Sequence, residues 1–181
     1  MLSKMRTSLP VLTLACAASA VQALNLNITA LGAANNASTL ECWQMTTPFT
    51  ISSTAGTSGS ASLELGDVTN LTYTVLPAGF DGGLHNAPRA QWVIFISGLA
   101  YITLPTNSTT AAYIPGGEFG VIFAADTADV SAAGHRTQYP GVTETVALQM
   151  PVDEVPTHEV IHSGPCVDDD FVGLRGLALA S

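Results

Sequence analysis

Apolar residues in this chain recur with a period of two, and almost nowhere with the 3.6-residue period of a helix. Leu71, Tyr73 and Val75 alternate with Thr72 and Thr74, and Val146, Leu148 and Met150 alternate with Thr145, Ala147 and Gln149. A period of two places successive side chains on opposite faces of an extended strand. Residues 92–96 and 121–125 are continuous apolar runs, the pattern of strands buried on both faces. Shorter strand signals fall at 42–45, 62–65, 100–104, 111–114 and 159–162. Turn sequences separate them: Pro77-Ala78-Gly79, Asp81-Gly82-Gly83, Ser97-Gly98, Pro105-Thr106-Asn107 and Pro115-Gly116-Gly117. The one helix-like stretch, 124–133, is too short and broken to carry a fold. The expectation is an all-β chain, a sandwich or a small barrel, in a single domain without internal repeats.

Charge and composition narrow the function. The chain of 181 residues carries five basic and 14 acidic side chains, a net charge of −9. Phosphate binding needs clustered Lys and Arg, so general nucleic-acid binding is excluded. An apolar content of 47% against 10% charged is the opposite of a disordered composition. The N-terminus has the pattern of a secretory leader. Lys4 and Arg6 precede an apolar stretch, 9–18, and the small-residue sites Ala18-Ser19-Ala20 and Val21-Gln22-Ala23 follow. That stretch is shorter than the ~20 residues of a spanning helix. Cleavage after residue 20, or after 23, leaves three arginines against 14 acids, a net charge of −11 and no lysine. The expected location is therefore extracellular, with no membrane attachment after cleavage.

Two further features agree with export. Cys16 lies in the leader, leaving Cys42 and Cys166 as an even pair for an oxidising compartment. A disulfide between them is expected, with two buried free thiols as the alternative. Four sequons, at Asn27, Asn36, Asn70 and Asn107, suggest a glycoprotein modified on surface loops. The expected organisation is a leader at 1–20, a loose arm at 21–39, a folded barrel at 40–166 and an acidic-then-apolar tail at 167–181. The Ser/Thr/Ala/Gly stretch 53–60 reads as a flexible loop.

Chemistry in the mature chain rests on four histidines: His85, His135, His158 and His162. The string His158-Glu159-Val160-Ile161-His162 matches the H-E-x-x-H pattern of zinc peptidases, which requires a helix. Flanking Pro156 and Gly164-Pro165, and the β-branched Val160 and Ile161, favour a strand instead. A longer constellation is more informative. Gly79 is followed after five residues by His85-Asn86-Ala87-Pro88-Arg89-Ala90-Gln91, and six residues later by Gly98. Further on come Pro115-Gly116-Gly117, Asp126-Thr127 and Gly134-His135-Arg136-Thr137. Across roughly 62–150 this spacing resembles the cupin superfamily, and the His-x-Ala-Pro-Arg-x-Gln run resembles a group of small single-domain cupins. Ala87 stands at the position of the second motif histidine, and Gln91 at that of the glutamate.

The resemblance implies a jelly-roll β-barrel with one divalent transition metal, iron, manganese, copper, nickel or zinc, in a central pocket. The implied ligands are His85, Gln91 and His135, with Arg89 and Asp126 orienting polar groups of the substrate. The alternative is a barrel whose histidines are hydrogen-bonded without metal. The implied activity is a metal-dependent oxidoreductase acting on a small organic molecule in secondary metabolism. A non-catalytic cupin holding a small ligand or sugar is the alternative. A small molecule is the expected partner, and a homodimer is an admissible assembly. Arg136, Tyr139 and Glu144 stand near these motifs, either at the pocket edge or in ordinary ion pairs, turns and strand starts. Trp92 and Phe95 are expected in the core.

Overall fold

The computed structural model describes residues 24–171; the expected leader and residues 172–181 of the expected tail lie outside the described residues. In chain order the strands are β1 (Asn25–Ala34), β2 (Ala37–Pro48), β3 (Thr50–Ile51), β4 (Ala61–Ser62), β5 (Thr72–Leu76), β6 (Asp81–His85) and β7 (Gln91–Ser97). They continue with β8 (Leu99–Leu104), β9 (Asn107–Pro115), β10 (Val121–Ala124), β11 (His135–Gln138), β12 (Thr145–Pro151) and β13 (His158–Ser163). A single 3-10 turn, Asp168–Phe171, follows. The strands form a seven-stranded sheet, β13-β2-β1-β10-β7-β12-β5, a four-stranded sheet, β6-β11-β8-β9, and the small hairpin β3-β4. Among the described strands β1 and β10 pair in parallel and the other pairings are antiparallel, with one further isolated parallel bridge between Ala87 and Thr127. Neither large sheet closes on itself, and the arrangement fits an all-β, sandwich-type fold.

The core has two layers because the large sheet is buried on both faces. Leu31, Val93, Phe95 and Ile122 face the small sheet and pack with Ile102 and Ile114 from it. On the other face Ile28, Trp43, Trp92 and Phe123 form a second cluster, covered in part by Leu63 and Leu65. Neighbours in sequence, such as Trp92 and Val93 or Ile122 and Phe123, therefore enter opposite cores. This is the physical reason for the continuous apolar runs, since each fully buried side chain of this size contributes about 1.5–3 kcal/mol. The Trp92 indole N–H also donates to the Leu65 carbonyl at 3.0 Å, pinning the covering segment.

Two expectations are corrected. Residues 21–39 are not a loose arm where they are described. β1 sits inside the large sheet between β2 and β10, and Ile28, Ala30 and Leu31 are fully buried. Its strand character is masked by small and polar residues with local reasons to be there. At Gly32 a Cβ would meet the Glu41 carboxylate and the Thr39 hydroxyl at 2.9 Å, and that carboxylate accepts hydrogen bonds from Thr39 Oγ1 and Trp43 Nε1. The folded unit accordingly begins well before residue 40. The stretch 124–133 is not helical. After β10 it runs through turns with Thr127 N–H donating to Ala125 O and Ser131 N–H donating to Thr127 O.

The expected disulfide is present. Cys42 on β2 and Cys166, just after β13, are bonded with their Cα atoms 4.6 Å apart. The H-E-x-x-H string is strand β13, as its flanks indicate. His158 stacks on Trp43 with ring centroids 3.5 Å apart, and His162 binds Asp170 at 3.0 Å. The loop 53–60 turns the β3–β4 hairpin, with Ser52 N–H donating to Ser60 O. Asn36, Asn70 and Asn107 are exposed, whereas Asn27 is not on a surface loop. It lies on β1, donates to Asp170 O and accepts from Gln44 Nε2. No helix among the described residues is long and apolar enough to cross a membrane.

Candidate functional site

Two antiparallel strands of the small sheet bring distant histidines together. β6 ends at His85, β11 begins at His135, and the two residues are direct cross-strand partners. Their ring centroids lie 4.5 Å apart. The approach depends on Gly134, whose φ of +65° lies in the left-handed region and whose position leaves no room for a side chain. A Cβ there would stand 2.1 Å from the His85 carbonyl oxygen. Gln91 opens β7 in the opposing sheet, and its side chain is buried.

His85, Gln91 and His135 all line one cavity of about 100 Å³ between the two sheets. Apolar walls come from residues such as Val93, Phe95 and Ile102, and further polar groups from Thr137, Tyr139 and Gln149. The Gln91 amide and His135 Nε2 have no hydrogen-bond partner among the described residues. His85 Nδ1 is 3.0 Å from the Gly83 carbonyl, which can only accept, so Nδ1 carries a hydrogen and, in the neutral ring, Nε2 holds the lone pair. Burial pushes the Tyr139 phenol up to about 12, which keeps it a neutral hydroxyl. Glu144, by contrast, is exposed outside the cavity.

Behind His135 lies a buried polar chain. Asp126 has no solvent exposure, and its Oδ2 lies 2.7 Å from His135 Nδ1 and 2.6 Å from Ser38 Oγ. The Ser38 hydroxyl donates to Asp126, so at the 2.8 Å contact between the two serines Ser131 is the donor, and Ser131 in turn accepts from Gly134 N–H. With Nδ1 donating to Asp126, the neutral ring of His135 would present its Nε2 lone pair on the other side. Asp126 Oδ1 is buried without a hydrogen-bond partner. Asn86 closes the arrangement by donating to the Asp126 and Ser131 carbonyls. Asp126 thus acts on His135 from behind and does not line the cavity.

The expected role of Arg89 is corrected by its position. Its guanidinium donates to Asp153 at 2.7 Å on the surface and does not line the cavity. Ala87, two residues earlier, is the side chain that turns inward, and the nearby carboxylate holds Arg89 outside. Arg136 also faces away. It lies between His135 and Thr137, both buried, so strand alternation turns it to solvent, where it binds Asp81. That guanidinium and the Gly83 N–H hold the Asp81 carboxyl down to about 2. The sequence did not single out Ser38, Ser131 or Gln149. Ser38 sits inside a sequon, which masks its second use. Trp92 and Phe95 are core residues, as expected.

No other cluster of described residues supplies a competing ligand set. Cys42, Cys166 and Asp170 converge, but the two sulfurs are committed to the disulfide. No family model and no curated protein matches the chain. Among solved structures, a conserved Streptococcus pyogenes protein of unknown function is similar with a TM-score of 0.32 and 20% identity, covering 49% of this chain and 70% of that one. A Bacillus halodurans protein is similar with a TM-score of 0.34 and 14% identity, covering 61% and 74% respectively. At these scores the likeness carries no conclusion about this chain.

Proposed function

We propose that the protein is a secreted cupin-type jelly roll whose His85–Gln91–His135 cavity holds one divalent transition metal and acts on a small, uncharged organic molecule as an oxidoreductase. The observation that carries this reading is the convergence of those three side chains, from two sheets, on one small cavity with unpartnered donor atoms. Strand order supports the fold: β5-β12-β7-β10 facing β6-β11-β8-β9 is the order of a double-sheet jelly roll, with β1, β2 and β13 extending one sheet. The disulfide and the leader pattern support export.

The donor set fits a borderline metal: two neutral imidazoles and an amide oxygen, with His135 oriented from behind by a carboxylate, as metal-bound histidines usually are. Such an ion would supply a Lewis-acidic or redox centre. The chain's own residues do the rest. Gln91 and Gln149 offer amide contacts, and the neutral Tyr139 phenol is a hydrogen-bond donor. The apolar walls line the inner part of the cavity, while His85 stands at its solvent-exposed side. Among the described residues no arginine or lysine lines the cavity, which disfavours an anionic substrate, and about 100 Å³ admits only a compact molecule. The absence of Arg89 from the cavity favours, as a second reading, a cupin that holds a small polar ligand without turning it over.

Metal analysis of the purified secreted protein tests the proposal. The expected result is about one equivalent of a transition metal, lost in His85→Ala and His135→Ala. Only a trace in the wild type, unchanged by either substitution, would overturn it.

A further inference from the structure

A groove of about 440 Å³ lies on the outer face of the large sheet, away from the histidine cavity. Its walls are the segments 63–67 and 152–157, and its floor includes Met45, Trp92 and Val152. Trp92 belongs to the outer core, and the neighbouring Val93 to the inner one, so the sheet separates the two sites. Both walls are fixed to the sheet. Leu65 O accepts from the Trp92 indole, Val152 N–H donates to Ala90 O, and Thr46 N–H donates to Thr157 O. The groove is therefore preformed, and its volume lies within the usual range of small-molecule sites.

Its rim is acidic. Glu64, Asp67, Asp153 and Glu154 all line it. Asp153 is answered by Arg89 at 2.7 Å, but Glu64, Asp67 and Glu154 have no ion-pair or hydrogen-bond partner among the described residues. An apolar floor below unanswered carboxylates selects a molecule with an apolar body and one positive charge. An anion of the same shape meets repulsion at the rim, and a neutral one gains no attraction from the exposed carboxylates. We propose that this groove binds a small amphipathic organic cation, a protonated amine carried on an aromatic or alkyl body.

The test uses the full-length protein with tryptamine as probe and indole-3-propionate as its anionic counterpart, followed by calorimetry and by the Trp92 indole N–H signal in NMR. Tryptamine is expected to bind saturably, to shift the Trp92 signal and to weaken as salt is raised. The exposed triple variant Glu64→Gln, Asp67→Asn, Glu154→Gln is expected to weaken it about fivefold or more while unfolding at the wild-type temperature. His85→Ala is expected to leave tryptamine binding unchanged, which separates this site from the cavity. Equal binding of indole-3-propionate, wild-type affinity in the triple variant, or no saturable binding of tryptamine would each overturn the proposal.

Discussion

Asp126 holds more of the site together than any other single residue. It receives two donors on one oxygen, has no exposure, and fixes which nitrogen of His135 is free. Asp126→Asn is isosteric and its amide oxygen can take the Oδ2 position, but it removes the negative charge behind His135 and puts an N–H2 at the buried, unpartnered Oδ1 position. Loss of such an outer partner typically lowers metal affinity 10–100-fold. Competition with a chelator should show a weakening of about that size in Asp126→Asn, with the strand circular-dichroism signal retained. An unchanged affinity would leave Asp126 a purely structural group. Part of this was legible in sequence, because the His85-to-Gln91 spacing and the Gly134-His135 pair each sit within one local segment. The Arg89 placement was not. Its partner Asp153 is 64 residues away, and nothing local shows which neighbour of Ala87 turns outward.

At the scale of elements, the β6–β11 pair sets the distance between the two histidines. Asp81 and Arg136 clip these strands together on the solvent side. Asp81 has a folded-state pKa near 2, below its ordinary 3.8, so its contribution is present above pH 3.8 and is lost as pH falls from 3.8 towards 2. Both partners are partly exposed, so the effect is local and not a global unfolding. Hydrogen exchange should show β6 and β11 amides losing protection across that window in the wild type, with no such step in Asp81→Asn. Coincident profiles would show that the clip contributes nothing. Strands with a single buried face or a long apolar run, such as β12 and β10, were readable from pattern. β1 was not, because its burial comes from a parallel pairing with β10, some ninety residues later, and from small residues that leave space for Glu41. β6 was equally hidden, since Asp81-Gly82-Gly83 reads as a turn when its partner strand is unknown.

At the scale of the molecule, charge and apolar surface are segregated. The four adjacent strands β10, β7, β12 and β5 contain no charged residue, although the chain carries 14 acids. The acids gather in the connecting segments, around the outer groove and in the 3-10 turn. Composition alone gave the net charge but not this partition, which depends on where each segment lands on the sheets.

The Cys42–Cys166 bond closes a covalent ring 124 residues apart in sequence, and that ring encloses every strand from β3 to β13. The exposed turn 53–60 is inside it. A single protease cut in that turn therefore makes two peptides that remain one molecule. On a gel, nicked protein should migrate as a single full-mass band without reductant and separate into two fragments with it. Fragments released without reductant would mean that the ring is not closed in the purified protein. Wherever a protease reaches that turn, the bond turns a cut into a scar rather than a loss.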